Sequence, residues 1–124
     1  MACCDVEPFI REALDSVMRQ SFADWECICG IEDSKDRTEE ILREIAASEP
    51  RIRIFNHPRN GSCSATRNIG IDLAQGEYVI FLDGDDTIAE ESLARIHDKI
   101  AARPGADIYP CVIVAYEEDS GNGR

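Results

Sequence analysis

Residues 78–86 read YVIFLDGDD: the apolar run Tyr78 to Leu82 leads directly into Asp83, Gly84, Asp85 and Asp86. A short apolar run that ends in a polar turn is the pattern of a strand covered on both faces, as in a parallel sheet. Three carboxylates within four positions repel one another unless a cation lies between them, and the glycine lets backbone or ligand come close. Mg²⁺ and Mn²⁺ suit such a group. Both take oxygen ligands in near-octahedral geometry and commonly combine one or two carboxylates with water and substrate phosphates. A second role stays open for Asp85 and Asp86, that of capping the next helix at the positive end of its dipole.

Outward from this stretch the chain alternates strand and helix patterns. Ile10, Ala13, Leu14, Val17 and Met18 recur at helical spacing after Pro8 and predict a helix over residues 8–20. WECICGI, residues 25–31, reads as a covered strand, and the polar loop EDSKD follows it. Ile41, Leu42, Ile45 and Ala46 mark a second amphipathic helix that stops near Pro50, and RIRIF supplies the next strand. HPRNGS is a turn-rich connector, Ser64 to Ala74 reads as a third helix ended by Gly76, and YVIFL is the third visible strand. Ile88, Leu93, Ile96 and Ile100 predict a fourth helix closed by Pro104-Gly105, before a last strand in IYPCVIVAY with Pro110 marking an edge.

This order predicts an α/β domain with a mostly parallel sheet, whose ligands bind beyond the carboxyl ends of the strands. EDSKD and DGDD both follow strands, so they are expected at one edge of the sheet. The first clear element, however, is a helix, and MACC is too short for a normal strand before it. The chain is therefore expected to be one partial domain spanning residues 1–124, truncated, with a polar tail at 117–124 and a sheet edge left open for a partner copy to pair.

The net charge of −12 opposes non-specific binding to nucleic acid or an anionic membrane, both of which reward clustered Lys and Arg. No apolar run approaches the ~20 residues of a membrane span. The opening MACCDVEP lacks the basic region and apolar stretch of a secretory signal, which makes a cytoplasmic setting the expectation. The six cysteines form no C-x-x-C pair and have no histidine at zinc-finger spacing, so they read as buried or incidental thiols.

NGSCSATRNIGIDLAQGEYVIFLDGDD resembles the core signature of family 2 glycosyltransferases: a glycine-containing turn, S-A-x-R-N-x-G, a short helix, G-E-Y and L-D-x-D-D. VEPFIREALDSVMRQSFADWECICGIEDSKDRTEEIL is similar to the family's first helix, second strand and nucleotide-binding loop, so the resemblance covers most of residues 5–100. It implies a Rossmann-like GT-A fold that lacks its first strand and binds a nucleotide-diphosphate-sugar, a UDP-sugar being expected. It also implies that the aspartates hold Mg²⁺ or Mn²⁺ against the diphosphate. Asp83 and Asp85 are carried over as nucleotide-sugar contacts, Asp85 and Asp86 as metal ligands, and Arg67 as a neighbour of the nucleotide. The acceptor, a glycan, lipid or protein, is not specified.

Departures from the family pattern bear on base recognition and catalysis. Where V-D-D-G-S-T-D is common, this chain has Gly30-Ile31-Glu32-Asp33-Ser34-Lys35-Asp36. Glu32 or Asp33 could accept from a uracil N–H, or either could cap the following helix. The opening strand and V-Y-N segment are reduced to Ala2-Cys3-Cys4-Asp5. Glu117, Glu118 and Asp119 sit in the tail and are not expected to serve as the acceptor's general base, and His57 and His97 read as loop and helix-surface residues. The isolated chain is thus expected to bind a nucleotide-sugar without turnover. The alternative is a non-catalytic binding or assembly module that uses the open sheet edge.

Overall fold

In the computed structural model, which describes residues 1–58 and 62–109, the chain runs β1 (Ala2–Cys3), α1 (Ile10–Met18), β2 (Cys27–Glu32), α2 (Thr38–Ser48), β3 (Ile52–His57), α3 (Cys63–Leu73) and α4 (Ser92–Ala102). The three strands are parallel in the order β1-β2-β3, with Ala2 opposite Gly30 and Cys27 opposite Ile52. The opening strand is thus present, as two residues.

Alternation along β2 separates two faces. Cys27, Cys29 and Ile31 join Ile10, Leu14, Val17, Ile41 and Leu42 in the main core, which is the apolar stripe of α1 and α2 packed on one side of the sheet. Gly30 and Glu32 face the other side and meet Thr66 of α3. Cys3, Cys27 and Cys29 are buried free thiols. The Cys27 thiol works to lower Cys29, but the Cys3 thiol and burial outweigh it and push Cys29 up to about 12, so it stays a protonated packing group.

YVIFL does not form the expected third strand. Among the described residues none of its five positions joins a ladder, and the next residue, Asp83, makes only an isolated parallel bridge with Ala2. A strand exists by exchanging backbone hydrogen bonds, and the neighbouring β1 is two residues long, too short to provide a ladder for Val79 to Leu82. Tyr78, Val79, Ile80 and Phe81 are left between 46% and 55% exposed. Ile108 and Tyr109 are not in a strand; the remainder of IYPCVIVAY, with the tail at 117–124, lies outside the described residues.

Buried polar groups at the end of α1 hold the segment that follows DGDD. Ser16 Oγ accepts from Ile88 N–H at 3.2 Å, and Gln20 donates to Ala89 O at 2.7 Å while accepting from Leu93 N–H at 3.0 Å. The aspartate turn is therefore fixed from the sheet on one side and from α1 on the other.

Candidate functional site

The carboxyl ends of β1 and β2 are stitched together by acidic side chains and backbone N–H groups. Asp5 Oδ1 accepts from Lys35 N–H at 2.6 Å, and Val6 N–H donates to Thr38 Oγ1 at 2.9 Å. Asp36 accepts from Glu7 N–H and from Thr38 N–H, each at 2.9 Å, and so satisfies one of the free N–H groups of the first turn of α2. Burial works to raise the Asp36 carboxyl, but the hydrogen bonds from Thr38 and Glu7 outweigh it and leave the group below the usual carboxylate range. Asp36 thus supplies the cap to this first turn that the sequence offered to Glu32 or Asp33. Asp33 adopts φ 32°, a left-handed conformation at the place where the family pattern has glycine.

Glu32 ends β2 and is buried, where its Oε1 accepts from the Thr66 hydroxyl. The next residue of α3, Arg67, sends Nη2 to Asp83 Oδ1 at 2.7 Å. Gly84 N–H in turn donates to Ala2 O at 3.1 Å. Glu32, Arg67 and Asp83 are linked in this way at the carboxyl edge, and Asp85 and Asp86 lie one and two residues past Gly84. Only a small residue fits at position 84, because a Cβ there would stand 2.9 Å from Val6 Cγ2 and 3.3 Å from Ala2 O. The sequence pattern singled out Glu32, Arg67 and the aspartates. It missed Thr66, Thr38, Ser16 and Gln20, which are polar residues buried by their partners; the one available signal was a polar residue inside an apolar stripe, as at Ser16 between Ala13 and Val17.

Asp83, Asp85 and Asp86 each offer a carboxylate oxygen within 4.8 Å of the others, and this is the one group of its kind among the described residues. Partial desolvation of the largely exposed Asp86 first, and then the charges of Asp85 and Asp83, hold its carboxyl above its ordinary range. An oxygen-only set strained by its own charge fits a hard divalent cation.

A raised folded-state pKa means that the group's contribution to stability is present at low pH, below the unfolded value, and is lost as pH rises through the raised value. Asn at this position resembles the protonated form. Melting curves of the metal-free chain from about pH 3 to pH 7 should therefore show Asp86→Asn matching wild type at the acid end and exceeding it at neutral pH. Identical profiles would contradict strain at Asp86.

Three comparisons place this geometry. The model of "Glycosyl transferase family 2" matches residues 1–124. The uncharacterized glycosyltransferase EpsJ of Bacillus subtilis is 39% identical over 107 residues, which are 86% of this chain and 30% of that protein. The minor teichoic acid biosynthesis protein GgaB of the same organism is 33% identical over 98 residues, 77% of this chain and 11% of that protein. The crystal structure of S. aureus TarS in complex with UDP superposes with a TM-score of 0.76 at 27% identity, covering 82% of this chain and 30% of that one. A mannosyltransferase from Pyrobaculum calidifontis, in complex with GDP-Man and Mn²⁺, shares the fold at a TM-score of 0.69 and 24% identity, covering 81% of this chain and 30% of that one. The chain thus spans under a third of these proteins, and with a parallel α/β sheet carrying SATRN and DGDD at one edge, it belongs to glycosyl transferase family 2.

Proposed function

We propose that the chain is the nucleotide-sugar-binding region of a metal-dependent glycosyltransferase that takes a UDP-sugar as donor and transfers the sugar to a glycan, lipid or protein hydroxyl. The observation that carries this reading is the convergence of Asp83, Asp85 and Asp86 within 4.8 Å, on a turn held by β1 and Arg67 at the carboxyl edge of the sheet. The TarS complexes with UDP and UDP-GlcNAc support it from related proteins of the same fold.

In this reading Asp85 and Asp86 hold Mg²⁺ or Mn²⁺. Asp83 fixes Arg67 beside the diphosphate, Asp85 also contacts the nucleotide-sugar, and Asp33 lies at the base end of the site. The bound cation supplies Lewis acidity that offsets charge on the departing nucleoside diphosphate. The chain's own contribution is placement: the backbone bond from Gly84 to Ala2 O and the Arg67–Asp83 pair hold the carboxylates ready, so that little reorganisation is needed on binding.

Calorimetric titration with UDP in the presence of Mn²⁺ tests the reading. Wild type is expected to bind, and Asp85→Asn to bind about 10-fold or more weakly, taking the loss of support around a metal as the lower guide. Equal affinity in the two proteins would reject a cation held at Asp85. The half-exposed row Tyr78 to Phe81 favours a second reading, a binding module that docks on this strip; absence of UDP binding by the wild type would leave that one standing.

A further inference from the structure

We propose that Glu32, by holding the Thr66 hydroxyl, positions the DGDD turn and does not read the nucleotide base. The consequence for ligand binding rests on the reading of DGDD as the cation site.

Four contacts close a ring around the carboxyl edge. Glu32 accepts from Thr66, Arg67 pairs with Asp83, Gly84 N–H donates to Ala2 O, and Ala2 pairs in register with Gly30, two residues before Glu32. Three of these links are either backbone pairings or the half-buried ion pair between Arg67 and Asp83, whose side chains are 36% and 44% exposed. Solvent screens such a pair in part, so its geometry depends on where α3 places Arg67. The Glu32–Thr66 bond differs, because both residues are buried, at 4% and 2% exposure. A hydrogen bond shielded from water is the stronger constraint. It sets where α3 meets β2, and the reach of Arg67 to Asp83 follows from that setting. Reading a uracil N–H would require Glu32 to present an oxygen to the outside, and its burial in the Thr66 contact opposes this.

The test compares wild type with Thr66→Val, Thr66→Ser and Glu32→Gln in the full chain. Valine keeps the shape of threonine and removes the donor, whereas serine keeps the donor and glutamine keeps an acceptor. Without any ligand, amide hydrogen exchange across residues 83–86 is expected to accelerate about 10-fold in Thr66→Val and to stay near the wild-type rate in the other two. Affinity for Mn²⁺, read from the spin-resonance signal of the free ion, should fall about 10-fold in Thr66→Val and recover in Thr66→Ser. UDP and inorganic pyrophosphate, each titrated with Mn²⁺, should weaken by the same factor, since a displaced turn affects the diphosphate and not the base.

Unchanged exchange in Thr66→Val would overturn the proposal whether or not any ligand binds. A loss confined to UDP, with pyrophosphate unaffected, would make Glu32 a base contact and overturn it as well. If Thr66→Val fails to fold, Glu32→Ala, which leaves no acceptor at this position, decides: an equal fall for UDP and pyrophosphate upholds positioning, and a fall for UDP alone refutes it. A wild-type chain that binds no UDP would count against the proposed function only, with hydrogen exchange still deciding the role of Thr66.

Discussion

Gly30→Val is expected to destabilise the chain by about 3 kcal/mol, the upper part of the usual range for overpacking, and to lower the melting temperature by about 10 °C for a chain of this size. Gly30 lies in the middle strand, between Ala2 of β1 and Phe55 of β3. A Cβ at this position would overlap Thr66 Cγ2 and stand 2.5 Å from Phe55 Cζ. The ring tip of half-buried Phe55 can turn aside, but Thr66 does not yield cheaply, because it is β-branched, buried and committed to Glu32. The sheet face can accommodate the extra methyl groups only if α3 lifts away, which also carries Arg67 off Asp83. Truncating Thr66 to alanine should relieve part of the clash, so Gly30→Ala combined with Thr66→Ala should cost less than the sum of the single changes. Thermal melts of wild type and the four variants measure both effects. A Gly30→Val chain that melts within about 2 °C of wild type would mean that α3 does not pack on this strand as described.

The same residue illustrates what could be read from the sequence. WECICGI announced a covered strand, and it forms β2, yet nothing in that run shows that its glycine makes room for Thr66. The helices α1 and α2 were legible because Ile10, Ala13, Leu14 and Val17, and then Ile41 and Leu42, repeat at the helical period and bury the same stripe in the structure. YVIFL carried an equally strong apolar signal and does not form a strand. Side-chain pattern reports which faces avoid water; a ladder also needs a neighbour of matching length, and β1 provides two residues. The site divides in the same way. DGDD and SATRN are local runs, so they were visible. The contacts that hold them join residues far apart in the chain, such as Gln20 with Ala89 and Thr66 with Glu32, and a polar residue gains no local signature from a distant partner.

Withdrawing the divalent cation is expected to weaken UDP binding by at least about 100-fold, the top of the range seen when only the support around a metal is lost. Replacing both Asp85 and Asp86 by asparagine should remove that dependence on the cation and invert the order of the two proteins. Arg67 pairs with Asp83, so Asp85 and Asp86, both exposed, carry the charge that a diphosphate would meet. Each pair of like charges a few ångströms apart costs about 1 kcal/mol in water and several-fold more as the site is closed off from solvent. Without a cation, the wild type should therefore repel UDP, while Asp85→Asn/Asp86→Asn should bind it weakly but better than wild type does. With Mn²⁺ the order inverts, because the wild type gains a bridge that the variant cannot form. Added salt should narrow the metal-free difference, since screening acts on exposed charges. Calorimetry of both proteins with UDP, in chelator and in Mn²⁺ at two ionic strengths, gives four affinities for each. Curves that cross between chelator and Mn²⁺ support a cation joining carboxylates to diphosphate; if both proteins respond to chelator in parallel, the bridge does not exist and these carboxylates serve only to shape the turn.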